Sequence, residues 1–156
     1  MIKMVCPVCN AMTAQGRPCR RHTCKFAPKC HSHTKVAVQA SNIPGAGRGL
    51  FARDDIRANE VVANYTLGTQ RLTPAQFRQQ YPDGRATHVW ASRGNRVYYD
   101  ATDASKSVAG MANTGRAYGT KRHNNAKITE RGSLKALEPI PRGREILVSY
   151  GRGYRR

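Results

Sequence analysis

Residues 6–33, CPVCNAMTAQGRPCRRHTCKFAPKCHSH, hold five cysteines (Cys6, Cys9, Cys19, Cys24, Cys30) and three histidines (His22, His31, His33) in 28 positions, with too few apolar residues for a core. Thiolates and imidazoles at that density suit a tetrahedral zinc ion, whose binding supplies folding free energy directly. Disulfides are the weaker alternative, because the N-terminus MIKMVCPVC lacks the apolar run and cleavage site of a secretion signal and so predicts an intracellular protein with reduced thiols. Cys30-His31-Ser32-His33 sets a thiolate and an imidazole three positions apart, a spacing at which both reach one ion. Cys9 and Cys19 complete a Cys3His set. A shell of Cys6, Cys9, Cys24 and Cys30 competes with it, since Cys6 and Cys9 form a Cys-x-x-Cys pair.

Two further groups could do chemistry. Gly45, Gly47 and Gly49 let the backbone come close to a ligand through positive-φ conformations, although a plain hairpin turn uses glycine in the same way. Tyrosine is favoured over the other aromatics: Tyr65, Tyr98, Tyr99, Tyr118, Tyr150 and Tyr154 stand against three phenylalanines and one tryptophan. Tyr98 and Tyr118 read as strand packing.

The elements that position these residues are short. KVAVQASNIPGAGRGLFARDDIRANEVVANYTLG alternates brief β-branched runs with Gly, Pro, Asn and Asp, which predicts strands over 36–39, 49–52 and 61–65. One helix begins at the N-cap Thr73, with Pro74 at its first position, Gln76 closing a capping box, Phe77 on the buried face and Pro82-Asp83-Gly84 ending it. Strands at 134–138 and 145–150 flank Pro139-Ile140-Pro141-Arg142-Gly143. The spacing of Ala52, Ile56 and Asn59 recurs at Ala136, Ile140 and Gly143, too few positions to establish a duplication.

A chain of 156 residues has room for one cored domain and a small appendage. No apolar run approaches the roughly 20 residues that cross a bilayer, so no membrane partner is expected. The formal charge of +18 points instead to a polyanion such as DNA. Residues 1–37 carry seven Lys or Arg and no acid, while all nine acids fall between Asp54 and Glu145. With the cysteines confined to the start, this divides the chain into a basic zinc-binding module over 1–36 and a cysteine-free domain over 37–156.

In that domain, Gly45-Ala46-Gly47-Arg48-Gly49-Leu50-Phe51-Ala52 and Gly143-Arg144-Glu145-Ile146-Leu147-Val148-Ser149-Tyr150-Gly151 resemble the opening and close of the SET domain of protein-lysine methyltransferases. Tyr65-Thr66-Leu67-Gly68, Tyr99-Asp100-Ala101-Thr102 and Asn113 to Ile128 follow in the family's order. The middle departs from it: Thr114 stands where most members have histidine, RAYGTKRH is inserted before Asn124-Asn125, Arg144 replaces a glutamate and Asn64 replaces an acid. The start, with Cys9, Ala11, Thr13, Gly16, Cys19, Arg20, Cys30 and His33, is similar to zinc-knuckle-like modules of large DNA viruses.

The resemblance implies a mostly β, SET-type fold of small curved sheets with a C-terminal pseudoknot and few short helices. It implies transfer of a methyl group from S-adenosylmethionine to a lysine, most directly of histone. Tyr150 occupies the position of the catalytic tyrosine. Main-chain groups of Ala46 and Gly47, with Arg48, Asn113 and Thr114, would hold the cofactor, and Tyr65, Tyr99 and Tyr154 would wall the lysine channel. Such a channel lowers the amine's pKa from about 10.4 by disfavouring the ammonium form. Either Tyr154 closes it alone or a second subunit does so, as a homodimer. A basic enzyme repels a basic histone tail unless DNA of the nucleosome tethers it, with Asp54, Asp55 or Asp103 receiving the tail. The expected location is the nucleus, chromatin or a viral replication site. The competing readings are an inactive SET-like protein that binds chromatin through its zinc module, and an enzyme for non-histone lysines such as those of a viral packaging protein.

Overall fold

The computed structural model describes residues 6–116 and 122–149. Strands β1 (Val36–Ala40) and β2 (Arg48–Ala52) form an antiparallel hairpin. Its register places Val36, Val38, Leu50 and Ala52 on the face toward the main core and turns Gly49 and Phe51 to the other. Strands β3 (Val61–Asn64), β4 (Gln70–Leu72), β5 (Val89–Ala91), β6 (Tyr98–Asp100), β7 (Ala126–Ile128), β8 (Ser133–Ala136) and β9 (Val148–Ser149) make two further sheets. Their orders are β3-β8-β7-β9 and β4-β6-β5. Among the strand pairs of the described residues, β7–β9 is parallel and the others antiparallel. The result is the mostly β, SET-type architecture that the sequence led us to expect.

The closing segment crosses between two parts of the chain. On one side Ala52 N donates to Arg144 O (2.9 Å) and Ile146 N to Leu50 O (2.7 Å); on the other Val148 N donates to Asn113 O (2.8 Å) and Asn125 N to Leu147 O (3.0 Å). This exchange of partners explains why the strand expected over 145–150 pairs regularly only at Val148–Ser149, with isolated bridges from Glu145 to Phe51 and from Leu147 to Asn113.

The repeated spacing noted in the sequence has a structural counterpart. Ile56 N donates to Ile140 O and Ile140 N to Ile56 O, both at 2.9 Å. Asn59 N donates to Ala136 O and Gly143 N to Ala52 O, both at 2.8 Å. Asn59 (φ 66°) and Gly143 (φ 86°) turn the chain at equivalent points. The two turns therefore clasp each other reciprocally, with Ile56 and Ile140 both buried at the centre.

The helix α1 (Pro74–Gln80) has the expected capping box: Gln76 N donates to Thr73 Oγ1 (3.2 Å) and Thr73 N to Gln76 Oε1 (2.9 Å). Phe77 is only half-buried, because α1 lies along a sheet edge where its ring stacks on Tyr98 at 4.1 Å. Tyr98 is thus packing material, as expected.

Residues 6–34 form no regular strand. Their shape comes from the bridges Val8 to His22 and Met12 to Pro18 and from a disulfide between Cys6 and Cys24, whose Cα atoms are 5.0 Å apart. That bond corrects the expectation of uniformly reduced thiols: Thr23 N on Pro7 O (2.9 Å) draws the two neighbouring cysteines together. The module is joined to the domain by Val108 N on Lys25 O (3.1 Å), Arg53 N on Lys35 O (2.7 Å) and the ion pair of Lys35 Nζ with Glu60 Oε1 (3.1 Å).

Burial works against charge on Glu60, but the Arg57 N–H, at 2.9 Å, and the Lys35 ammonium outweigh it and hold the carboxyl below its usual range. A depressed carboxyl stabilises the fold above its unfolded pKa of about 4.3 and loses that contribution as pH falls through the lower folded value. Glu60→Gln should therefore lower the melting temperature at pH 7 by the equivalent of about 1 kcal/mol or less, and the difference from wild type should shrink toward pH 3 in a thermal-melt series.

Candidate functional site

Three segments singled out in the sequence meet at one buried carboxylate. Glu145, 6% exposed, accepts from Ser41 Oγ (2.6 Å), Asn42 N (3.0 Å) and Asn113 Nδ2 (3.2 Å). Asn113 Nδ2 also donates to Arg48 O at 3.0 Å. Gly49 lies against the same carboxylate, and a Cβ there would fall inside contact distance of Glu145 Oε1. The opening glycines, Asn113 and the closing strand are thereby locked together. Asn125 completes the lock: its amide Nδ2 donates to Glu145 O (3.0 Å) and its Oδ1 accepts from Leu147 N (2.9 Å).

The side chains of Asn113 and Asn125 are thus committed to the fold. Gly45 (φ 80°) and Gly47 (φ 70°) have the expected left-handed conformation, and a Cβ at Gly47 would meet nothing within 4 Å, so that face of the segment is open to a ligand. Ala46 packs on Ile43 and Leu147. Thr114 is half-buried, its Oγ1 accepting from Arg116 N at 3.4 Å. The Arg48 side chain is exposed and projects on the opposite face of the hairpin from Gly49. A cavity of about 410 Å³ adjoins the lock, lined by Asn42, Arg122, Asn125, Glu145 and Leu147 among others. A larger one of about 660 Å³ lies between the disulfide and Asp100, away from every residue the sequence marked as catalytic or cofactor-binding.

Tyr65 and Tyr99 come together through Trp90, whose ring lies 6.5 Å from the first and 5.6 Å from the second, centroid to centroid. Tyr65 is buried, Tyr99 and Trp90 half-buried, and Gly132 backs the indole where a Cβ would lie 3.1 Å from it. The three rings form a continuous aromatic wall. Sequence reasoning missed Trp90; its one signal was being the only tryptophan in the chain. Tyr150 and Tyr154 lie outside the described residues, as does Tyr118.

Cys9, Cys19, Cys30 and His33 converge in the N-terminal module, their ligand atoms all within 4.8 Å of one another. Cys30 Sγ is 3.4 Å from His33 Nδ1 and 3.9 Å from Cys19 Sγ, and Cys9 Sγ is 3.6 Å from His33 Nδ1. A tetrahedral zinc with bonds of about 2.3 Å to sulfur and 2.0–2.1 Å to nitrogen requires ligand separations of about 3.5–3.8 Å, so the four residues fit that ion. The second ligand set is excluded, because Cys6 and Cys24 are bonded to each other. Burial raises the Cys30 thiol, but the N–H groups of Ser32 and His33 and hydrogen bonds from Cys9 and Cys19 outweigh it and bring it down to about 6. One sulfur of the cluster is thus held as a thiolate near neutrality, the form that ligates metal.

The comparisons with known proteins bear on family and fold. The family model described as SET domain matches residues 47–151. No curated protein sequence matches the chain. Among solved structures, polycomb repressive complex 2 of Chaetomium thermophilum is similar with a TM-score of 0.59 at 19% identity, over 78% of this chain and 16% of the other. A second structure, described as that complex in an autoinhibited conformation bound to S-adenosylmethionine, gives 0.58 at 18% identity, over 76% and 15%. A third, described as in complex with H3K27me3 and H3K27M, gives 0.58 at 19% identity, over 76% and 15%. The chain therefore spans about one-sixth or less of the protein chains it matches.

Removing the Glu145 carboxylate takes the acceptor from Ser41 Oγ and Asn42 N and leaves Asn113 Nδ2 with Arg48 O alone. Glu145→Ala should cost at least about 3 kcal/mol in urea unfolding, since each lost hydrogen bond to a charged group contributes roughly 1.5–3 kcal/mol. A loss under about 1 kcal/mol would contradict the lock.

Proposed function

Because the chain belongs to the SET-domain family, we propose that it transfers a methyl group from S-adenosylmethionine to the ε-amine of a protein lysine. The observation that carries this reading is the convergence on Glu145 of the Gly-rich segment, Asn113 and the closing strand. These are the segments that the family resemblance assigns to the cofactor; Ala46 N and Gly47 O are held by Ile43 O and Ser41 N, so we assign the remaining main-chain groups of Ala46, Gly47 and Thr114 to meet it. When bound, S-adenosylmethionine supplies an electrophilic methyl group. Everything else falls to the protein, whose task is alignment and exclusion of water.

Tyr65, Trp90 and Tyr99 supply the wall of a lysine channel. Their rings strip water from the incoming amine, which favours its neutral form, and their faces accommodate the cationic product. Tyr150 follows β9 directly in sequence, and we assign its hydroxyl to the methyl-transfer site. The substrate we favour is histone lysine in chromatin, a setting consistent with a neighbour described as in complex with H3K27me3 and H3K27M and with the chain's basic charge. Zinc in the Cys9, Cys19, Cys30, His33 centre is a structural ion, holding a segment whose small cluster among the described residues consists of three buried sulfurs with Ala11 packed on them.

Wild-type protein should methylate nucleosomal histone in a radiolabel-transfer assay, and Tyr150→Phe should reduce the rate by at least about 100-fold, the scale on which a positioned group in the transition state acts. Undiminished transfer by that variant would refute the assignment, and no transfer by wild type would favour a binding-only role. Metal analysis should find one zinc per chain, lost in Cys19→Ser together with several degrees of melting temperature, while the Cys6→Ser/Cys24→Ser double variant keeps the metal.

A further inference from the structure

A cleft of about 370 Å³ separates the N-terminal module from the β1–β2 hairpin. Lys25, Arg48 and Arg53 stand around an apolar floor that includes Phe26, Val36 and Val38, and no acid lines it. All three cations are exposed. Arg53 extends the cleft outward: Nη1 and Nη2 reach His31 O (3.4 Å) and Ser32 O (3.5 Å). From the other side of the same turn, Arg21 Nη1 donates to Ser32 Oγ (2.6 Å) and lies 3.1 Å from His31 Nε2.

Two guanidinium groups thus grip one dipeptide through neutral acceptors, which leave their charge uncompensated. Among the acids nearest in sequence, Asp54 and Asp55 accept the backbone N–H groups of Asp55 and Arg142, and Asp103, which also feels the Lys25 ammonium, accepts Ser105 N and Oγ; none of them forms an ion pair with Lys25, Arg21 or Arg53. Among the described residues, Lys35 with Glu60 is the only ion pair made by a lysine or arginine. Like charges held this close repel unless an anion lies between them, and the forked donors of arginine match phosphate oxygens.

We propose that this cleft seats the phosphodiester backbone of duplex DNA, with Lys25, Arg53 and Arg21 as the phosphate contacts. The proposal rests on the reading that the substrate is carried on nucleic acid, and it names where that polymer lies. Duplex is favoured over single strands because the cleft offers no platform for stacking unpaired bases: the Phe26 ring packs against the main core and carries the Lys25 ammonium 5.0 Å from its centre. The placement has a mechanical consequence. His31 and Ser32 lie between the metal-fitting residues Cys30 and His33, so the metal centre sets the turn that both arginines hold. On the domain side the cleft ends at Arg48, whose carbonyl receives Asn113. DNA bound there would run beside the segment assigned to the cofactor.

The test is fluorescence anisotropy of the full-length protein on a short duplex over a potassium chloride series, with methylation of a free lysine peptide measured in parallel. Lys25→Gln/Arg53→Gln should lower the slope of log affinity against log salt by about 2 and weaken binding on the order of tenfold at moderate salt. Arg93→Gln/Arg96→Gln, which removes the same charge from the exposed turn between β5 and β6, should stay within about twofold, because it takes away net charge without a phosphate contact. Peptide methylation should be unchanged in both. Lys25→Gln alone should lose about one unit of slope even where Arg53→Gln lowers the melting temperature. Equal losses in the two double variants would overturn the cleft while leaving DNA binding in place. Absence of salt-sensitive DNA binding by wild type would overturn the underlying reading, and equally tight binding to anionic lipid vesicles, lost in the same variants, would reassign the cleft.

Discussion

The molecule depends on one buried negative charge. The chain carries 27 Lys or Arg and nine acids, yet among the described residues Glu145 makes no ion pair; its carboxylate is met by a hydroxyl, a backbone N–H and a side-chain amide. A carboxylate withdrawn from water is tolerated only when such donors are supplied, and these come from two separate segments that precede it in the chain, one more than 100 residues earlier and one 32 residues earlier. Meeting that requirement brings the Gly-rich segment against the closing strand and fixes Gly49 as a residue without a side chain. The reciprocal clasp of Ile56 and Ile140 then holds the two halves of the domain from behind.

Local chemistry was readable in the sequence wherever a few adjacent residues decide it. The capping box of Thr73 and Gln76, the left-handed glycines at 45 and 47 and the hairpin strands are of this kind. The metal-fitting set was readable because Cys30 and His33 are neighbours, but choosing its partners required knowing that Thr23 pairs with Pro7 and so consigns Cys6 and Cys24 to each other. Three features could not be read at all. Trp90 enters the aromatic wall only through the tertiary meeting of β5, β6 and Tyr65, Asn125 becomes a clamp only once the closing segment passes it, and the repeated Ala-Ile spacing becomes a clasp only when the copies face each other.

The same distinction separates family from partner. Membership of the SET-domain family accounts for the fold, which the matched structures share at under 20% identity. Outside the family match, which begins at residue 47, lies a basic segment held by a disulfide and a metal-fitting centre, docked so that its Lys25 and the domain's Arg48 and Arg53 share one cleft. On this account the module orients the enzyme on a polyanion and the domain performs the transfer.

The most direct test of that account is amide hydrogen exchange with and without S-adenosylmethionine, read segment by segment. Protection should concentrate at Ala46 to Gly49, at Asn113 to Gly115 and at Glu145 to Val148, the three segments tied by Glu145. Protection confined to the N-terminal module or to the cavity beside Asp100, or none at all, would contradict it.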